Sequence, residues 1–266
     1  MSDPYYVMID EHDGVGRFRS TPSTAGPWAA ELQHGGPPNA LAVACAERAL
    51  RAATERTDLS AVRLSADFVG AVPVAEIETR VRLVRVARSA ALVQVVIAAA
   101  ERDCLHARIW FVRDQDTTDV APARSAPSFA IPPEPTPLEV EFGYGMSLDW
   151  RFVQGRMRIP GPAAAWVRPL TRLCDGLSMS GLARTVLVAD SASGISAELD
   201  WTRWSFLNVD LDVHLARPVD GEWLLMEART QLGPNGSAVA RSVLSDRLGE
   251  FGGGLQTLIL ARTRTS

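Results

Sequence analysis

One acidic residue, Asp190, stands at the end of an apolar stripe. Leu182, Val186 and Asp190 are four residues apart, so a helix over this stretch would place all three on one face. An aspartate before a turn rich in serine and glycine commonly just ends its helix. Burying a carboxylate among apolar groups without a role costs several kcal/mol, however, so such a residue is typical of a site that does chemistry. Asp190 is therefore either a helix terminus or a reactive carboxylate in a cavity.

The stretch that follows has the period of a half-buried strand, because apolar residues alternate from Leu207 to Leu215. Asn208 lies on the polar side with Asp210, Asp212 and His214, and regular alternation would point it away from Asp190. Either a bulge re-aims Asn208, or the two halves of the protein meet on this polar face. Acids on a polar strand face are usually just solvated. Asp210 and Asp212 become site candidates only if the register differs.

A second cluster, His34-Gly35-Gly36, is followed by two prolines and an apolar run, which predicts the start of a helix. Free backbone amides at such a start can bind a polarised oxygen, so Gly35 and Gly36 are candidate substrate-binding residues, and Gly176 could begin a similar site. The glycines fit a tight turn equally well. His34 either touches substrate or orients this turn.

Two helices and a set of strands must position these groups. The first helix is predicted from about Pro38 to Arg56, and because it is apolar on most sides it should be enclosed by other elements. A short strand at Val15 to Arg19 precedes it. Four strands with short connections follow, which favours antiparallel pairing: Val62 to Phe68, Glu76 to Ala87, Ala91 to Glu101 and Leu105 to Val112.

The second half repeats this order after a proline-rich stretch. Prolines at 122, 127, 132, 133, 135 and 137 indicate an extended linker, and Pro73 aligns with Pro218 at an offset of 145. This predicts a tandem duplication, with halves at 1–118 and 141–266 and a linker at 119–140. The second helix runs from about Asp175 to Asp190, between strands near Leu148 to Val153, Ala164 to Arg168, Phe206 to Leu215, Trp223 to Gln231, Ser237 to Ser245 and Gly254 to Ala261.

Composition excludes several classes of protein. The 266 residues are 47% hydrophobic and 22% charged with a net charge of −4 and no basic run, so we expect no nucleic-acid partner. Cys45, Cys104 and Cys174 are far apart without ligand spacing, which argues against a structural metal or disulfides. There is no apolar stretch of membrane-spanning length and no secretion signal, and a cytoplasmic location is expected. Motifs of serine esterases, zinc hydrolases and nucleotide enzymes are absent.

Two long central helices, each enclosed by an antiparallel sheet, resemble the α+β double hotdog fold. Three motifs resemble the acyl-CoA thioesterase II family: His34-Gly35-Gly36-Pro37-Pro38, Arg217-Pro218 followed by Gly221-Glu222-Trp223-Leu224-Leu225, and Gly252-Gly253-Gly254-Leu255-Gln256. The resemblance implies hydrolysis of a medium- or long-chain acyl-CoA to a free fatty acid and CoA. It also implies no metal or redox cofactor and a homodimer or larger assembly.

In that family a carboxylate on the second central helix, a hydroxyl on the next strand and a glutamine on the last strand orient the water that attacks the thioester. The resemblance assigns the carboxylate to Asp190 and the glutamine to Gln256, and the hydroxyl position holds Asn208. Asparagine still donates and accepts hydrogen bonds, so the substitution affects substrate range or rate more than reaction type. Glu47 is the nearest analogue of Asp190 in the first half, which is expected to be catalytically silent because no glutamine follows on its last strand.

Two other functions stay open. A protein that binds acyl thioesters without hydrolysing them would keep the fold and explain Asn208. A hotdog hydratase or dehydratase would need an aspartate and a histidine in one site, and His214 is the only histidine near Asp190 along the chain. Thioester turnover distinguishes a thioesterase from the non-catalytic binding protein, and an assay with an enoyl-CoA distinguishes it from the hydratase or dehydratase.

Overall fold

The computed structural model describes residues 3–123 and 125–263. The first helix, α1 (Gly36–Thr54), begins with Gly-Pro-Pro, and most of its residues are buried. Proline fits there because its missing amide would have no partner in the first helical turn. The helix ends where Glu55 adopts the left-handed conformation and its amide donates to the Arg51 carbonyl. The predicted start and end are each within two residues of these bounds.

The second central helix is shorter than predicted. Residues 143–146 form one helical turn, α2 (Gly143–Met146), and the central helix α3 (Gly181–Ala189) begins only after Ser180, whose hydroxyl accepts from the Ala183 amide at 3.1 Å. Gly176 has a φ of +81°, which is incompatible with a helix from Asp175. The expectation of two long central helices is therefore wrong for the second half. After Asp190 the chain forms only a further turn, α4 (Ala192–Ile195).

The described residues form one antiparallel sheet of thirteen strands. Their bounds are β1 (Tyr6–His12), β2 (Val15–Ser20), β3 (Leu59–Phe68), β4 (Glu76–Val86), β5 (Ala90–Ala99), β6 (Arg102–Arg113), β7 (Leu148–Gln154), β8 (Ala163–Pro169), β9 (Trp204–Asn208), β10 (Asp210–Leu215), β11 (Leu224–Leu232), β12 (Ser237–Asp246) and β13 (Gly249–Arg262). The antiparallel pairing agrees with the prediction from short connections. Strand β1 and the helical turn α2 were not predicted.

The strand order of the first half recurs in the second. It runs β1-β2-β4-β5-β6-β3 and then, in mirror order, β10-β13-β12-β11-β8-β7, with β9 paired to β13. Strands β3 and β10 meet at the centre, where Ala66 pairs with Leu211. The helices α1 and α3 pack against each other over this centre.

The strand predicted from Phe206 to Leu215 is interrupted at Val209. Asn208 pairs with Leu258, whereas Asp212 pairs with Leu255, so four steps along one strand match three along the other. This extra residue is a β-bulge. The carboxylate of Asp210 stabilises it by accepting hydrogen bonds from the amide and the hydroxyl of Thr257. The bulge reverses the side to which Asn208 points relative to Asp212.

The proline-rich stretch runs over the outside of the sheet. In the described residues between 114 and 142 there is no helix or strand. Phe129 and Ile131 pack against a small cluster around the buried Trp166, and the Trp166 indole donates to the Phe129 carbonyl at 3.1 Å. Among the described residues, no helix is long and apolar enough to cross a membrane.

Candidate active site

Asp190 lies where the end of α3 meets the start of α1. Asp190 is 4% exposed, and its backbone amide donates to the Val186 carbonyl, which continues the hydrogen-bond pattern of α3. Gly35 immediately precedes α1 and lies against the carboxylate. A Cβ atom at Gly35 would lie 2.7 and 2.9 Å from the two carboxylate oxygens and 2.5 Å from the Phe68 ring. Only glycine therefore lets the helix start and the carboxylate approach this closely.

Two amide side chains donate to Asp190 from the sheet. Asn208 Nδ2 is 2.8 Å from Oδ1, and Gln256 Nε2 is 3.2 Å from the same oxygen and 3.1 Å from the Asp190 carbonyl. Gln256 is itself fixed, because its Oε1 accepts from the Ser193 amide at 3.1 Å. Asn208 reaches Asp190 because the bulge puts it opposite Leu258, on the same side of the sheet as Gln256. The sequence left two explanations open, a bulge that re-aims Asn208 or contact between the two halves on the polar face, and the structure contains the bulge.

His34 contacts the other carboxylate oxygen. Its Nδ1 is 2.9 Å from Asp190 Oδ2 and 3.1 Å from the Gly36 amide nitrogen. The imidazole is stacked on the ring of Tyr144, with 3.8 Å between ring centroids and 8° between planes. Tyr144 is completely buried, and its hydroxyl contacts the Leu187 carbonyl at 2.6 Å and the Ser191 hydroxyl at 2.8 Å. Sequence reasoning missed Tyr144, since nothing in its spacing links it to His34.

The start of α1 offers few backbone donors. The first helical residue is Gly36, and the next two are prolines, which have no amide hydrogen. The Gly36 amide is near His34, whereas the Gly35 amide makes no hydrogen bond within the described part of the chain. Gly35 and the half-buried His34 are also the least buried residues of this turn. The Gly35 amide is thus a free donor beside the Asp190 carboxylate.

This arrangement can activate a water molecule. The carboxylate accepts hydrogen bonds from Asn208 and Gln256 at Oδ1 and contacts His34 at Oδ2, and it still has lone pairs left, since a carboxylate can accept about four hydrogen bonds. A base fixed by several donors, next to a free amide at a helix start, is the arrangement needed to deprotonate a water and stabilise an oxyanion. The described residues contain no group of ligands that could hold a metal ion.

The other sequence candidates lie elsewhere. Asp212 and His214 line a cavity of about 700 Å³ on the opposite side of the sheet from Gln256, and Asp212 is 3.3 Å from an Arg63 nitrogen. Asp210 is engaged by Thr257 in the bulge. Gly176 precedes α3 by several residues and does not begin it. These four residues are therefore not part of the cluster around Asp190.

Glu47 occupies the opposite end of the helix pair. It lies on α1 and is linked by a hydrogen bond to Ser180, the residue that caps α3. Burial raises the pKa of Glu47 from the usual 4.5 to about 7, against weaker opposing effects of that hydrogen bond and of the Arg51 charge. The bulges in the last hairpin of each half, between Ile97 and Ala98 and between Leu244 and Ser245, are 147 residues apart, and at that offset Gln256 corresponds to the buried Ile109.

Comparisons with known proteins assign the chain to a family. The acyl-CoA thioesterase C-terminal domain matches residues 118–259, and the acyl-CoA thioesterase N-terminal domain matches residues 24–112. This protein belongs to the acyl-CoA thioesterase family. It is accordingly a thioester hydrolase, as the motifs around Gly35 and Gln256 predicted. A comparison with curated proteins found no significant match.

Solved structures agree on the fold. A hot dog fold protein of unknown function from Alicyclobacillus acidocaldarius has a TM-score of 0.74 at 13% identity, with 96% of each chain covered. A protein proposed to be a thioesterase II from Thermobifida fusca has a TM-score of 0.72 at 20% identity, covering 97% of this chain and 95% of its own. The acyl-CoA thioesterase II TesB2 from Mycobacterium marinum has a TM-score of 0.68 at 14% identity, covering 97% of this chain and 96% of its own. The fold of this thioesterase is therefore of the hotdog type.

Proposed function

We propose that this thioesterase hydrolyses medium- or long-chain acyl-CoA to a free fatty acid and CoA, with Asp190 as the general base. The observation that supports this most directly is the convergence of Asn208, Gln256 and His34 on one buried carboxylate beside the start of α1. Both the base and the donors that a thioester hydrolysis needs are present at this point. Asn208 can hold water with its amide where the family has a hydroxyl.

The reaction follows from these positions. Asp190 accepts a proton from the water as its oxygen attacks the thioester carbonyl, and the Gly35 amide donates to the oxygen that becomes negative. The tetrahedral intermediate then collapses, the carbon–sulfur bond breaks and the fatty acid forms. The proton held by Asp190 passes to the departing thiolate, which leaves as the thiol of CoA. Gln256 and Asn208 keep the carboxylate in place through both steps.

A small apolar cavity of about 10 Å³ lies next to the site, and we propose that the acyl chain enters here by displacing the side chains around it. It begins at Ser193, whose amide donates to Gln256, and it continues along the second half of the sheet. Its lining includes Leu199, Phe206, Leu232, Leu258 and Leu260.

We also propose that the two halves are tandem hotdog repeats, with the boundaries 1–118, 119–140 and 141–266 given above. The repeated strand order and the central pairing of Ala66 with Leu211 support this. A homodimer or larger assembly is part of the same proposal, and light scattering tests it: a monomeric mass would contradict it.

The test of the activity is free-thiol release from a series of saturated acyl-CoA chain lengths, for wild type and Asp190→Asn. Wild type is expected to turn over, and Asp190→Asn to lose about 10²-fold or more in kcat, as for removal of a general base. Circular dichroism controls for folding of the variant. Binding of acyl-CoA without thiol release would instead support the non-catalytic alternative.

The contact of His34 with Asp190 is the type of pairing that a hydratase would need, so an enoyl-CoA belongs in the same series. Hydration of the double bond without thiol release would overturn the proposed substrate reaction.

A further inference from the structure

One nitrogen atom of His34 faces two partners with which it cannot bond in the same protonation state. Nδ1 is 2.9 Å from Asp190 Oδ2 and 3.1 Å from the Gly36 amide nitrogen. In a neutral imidazole each ring nitrogen either carries a hydrogen and donates or carries a lone pair and accepts. The Gly36 amide needs an acceptor at Nδ1, whereas an ionised carboxylate needs a donor there.

The proposed reaction decides between these states, and this inference rests on that proposed function. A general base must be ionised before it accepts a proton, and an ionised Asp190 would repel a lone pair at 2.9 Å. Nδ1 must then carry the hydrogen and donate it to Oδ2. The Gly36 amide consequently has no acceptor on His34 in the reactive state.

An unbonded amide at this position is costly. Gly36 is buried, and a buried donor without a partner costs about 1–3 kcal/mol. The neighbouring Gly35 amide is also without a partner within the described part of the chain. Both amides belong to the turn that begins α1, where the helix dipole favours a negatively charged ligand.

We infer that Asp190 and Tyr144 together hold His34 in the form with hydrogen on Nδ1, so that His34 donates to Asp190 Oδ2 while Asn208 and Gln256 donate to Oδ1. His34 is thus a positioning residue, which fixes the carboxylate from the side opposite the sheet, and the unbonded Gly36 amide is the cost of this arrangement. Where position 190 carries no negative charge, Nδ1 can instead accept from Gly36, and Oδ2 is no longer held.

Tyr144 holds His34 for this role. Its ring covers one face of the imidazole at 3.8 Å, and its hydroxyl is fixed by the Leu187 carbonyl and by Ser191 at the end of α3. The tyrosine therefore ties the histidine to the same helix end that carries Asp190. Without this ring, the imidazole could turn about its side-chain bonds and leave the carboxylate.

The tautomer is measured directly by nitrogen-15 NMR of the histidine rings at neutral pH. The chain has four histidines, and the His34 signals are those absent from the spectrum of His34→Asn. We expect a protonated Nδ1 in wild type, in the neutral or the charged ring. An unprotonated Nδ1 in wild type would overturn the inference, because His34 would then be an acceptor.

Asp190→Asn provides the decisive second spectrum. Asn208 and Gln256 both donate to the Oδ1 position, so they should hold the oxygen of the introduced amide there and direct its NH₂ group toward His34. Nδ1 must then accept, and the ring is expected to switch to the tautomer with hydrogen on Nε2. An unchanged tautomer contradicts the inference. If Asp190→Asn keeps full thioester turnover, the proposed function fails, whatever the spectra show.

Tyr144→Leu and Tyr144→Phe test the support. Tyr144→Leu removes the stacked ring and is expected to give mixed tautomers of His34 and about a tenfold lower kcat with KM unchanged. Tyr144→Phe keeps the ring and should retain the single tautomer. Phe111→Leu removes a buried ring in the first half and is the matched control. It should change neither the tautomer of His34 nor kcat. A single tautomer in Tyr144→Leu would remove Tyr144 from the inference.

Discussion

At each end of the pair formed by α1 and α3, a carboxyl group of one helix lies near the start of the other, but the side chains around the two carboxyl groups differ. At one end Asp190 of α3 lies beside the start of α1, and at the other Glu47 of α1 is linked to Ser180 at the start of α3. Asp190 contacts three polar side chains, those of Asn208, Gln256 and His34. Around Glu47, burial dominates and raises its pKa to about 7.

The difference shows that a carboxyl group next to a helix start does not make a site by itself. What distinguishes the Asp190 end is the sheet behind it, where Gln256 stands in the position that Ile109 has in the first half. An amide side chain can donate a hydrogen bond to a carboxylate, whereas an aliphatic side chain cannot. The prediction that the first half is silent rests on this contrast.

Substitution of Gln256, compared with substitution of Ile109, should give the largest effect. Gln256→Ala removes the hydrogen bonds to Asp190 and to the Ser193 amide, and it is expected to lower kcat for acyl-CoA by about 10²-fold because the base is no longer held in place. Ile109→Ala should lower stability without lowering kcat. Thiol release and urea unfolding of both variants measure this, and equal losses of kcat would refute the contrast between the two halves.

The glycines that begin the two helices give the next comparison, because Gly36 and Gly181 are also 145 residues apart. A Cβ atom at Gly36 would overlap the Leu187 carbonyl oxygen, whereas at Gly181 it would lie 3.4 Å from Val219, an ordinary contact. Gly36→Ala is expected to cost about 1–3 kcal/mol of unfolding free energy. Gly181→Ala should gain up to about 1 kcal/mol, since alanine favours a helix. The midpoints of denaturant unfolding of the two variants measure this difference. Equal midpoints would mean that the two helix starts are equivalent.

The smallest effect concerns Glu47 and pH. Between the usual 4.5 and the raised value of about 7, the folded protein keeps a proton on Glu47 that the unfolded chain has lost. The free energy of unfolding therefore falls as pH rises through this range. Glu47→Gln, which cannot ionise, should be more stable than wild type above pH 7 by about 1–2 kcal/mol, since the half-buried site weakens the effect. Below pH 4.5 wild type and Glu47→Gln should have the same free energy of unfolding, and the substitution should leave thioester turnover unchanged. A stability difference independent of pH would contradict the raised pKa.

Much of the fold was predictable because it depends on local patterns. The Gly-Pro-Pro start defined α1, and alternation with short connections gave most strands and their antiparallel pairing. The length of α3 was not predictable from its apolar spacing, because Gly176 and the Ser180 cap outweigh that spacing.

The sequence by itself determined the family, the order of the elements and two members of the cluster, Asp190 and Gln256, because motifs and periodicity are properties of neighbouring residues. Only the tertiary structure decided the direction of Asn208, since the bulge at Val209 depends on pairing with β13, about fifty residues further along the chain. The same holds for His34 and Tyr144. Their stacking beside Asp190 joins three distant segments, and no local pattern records contacts that form only when those segments pack together.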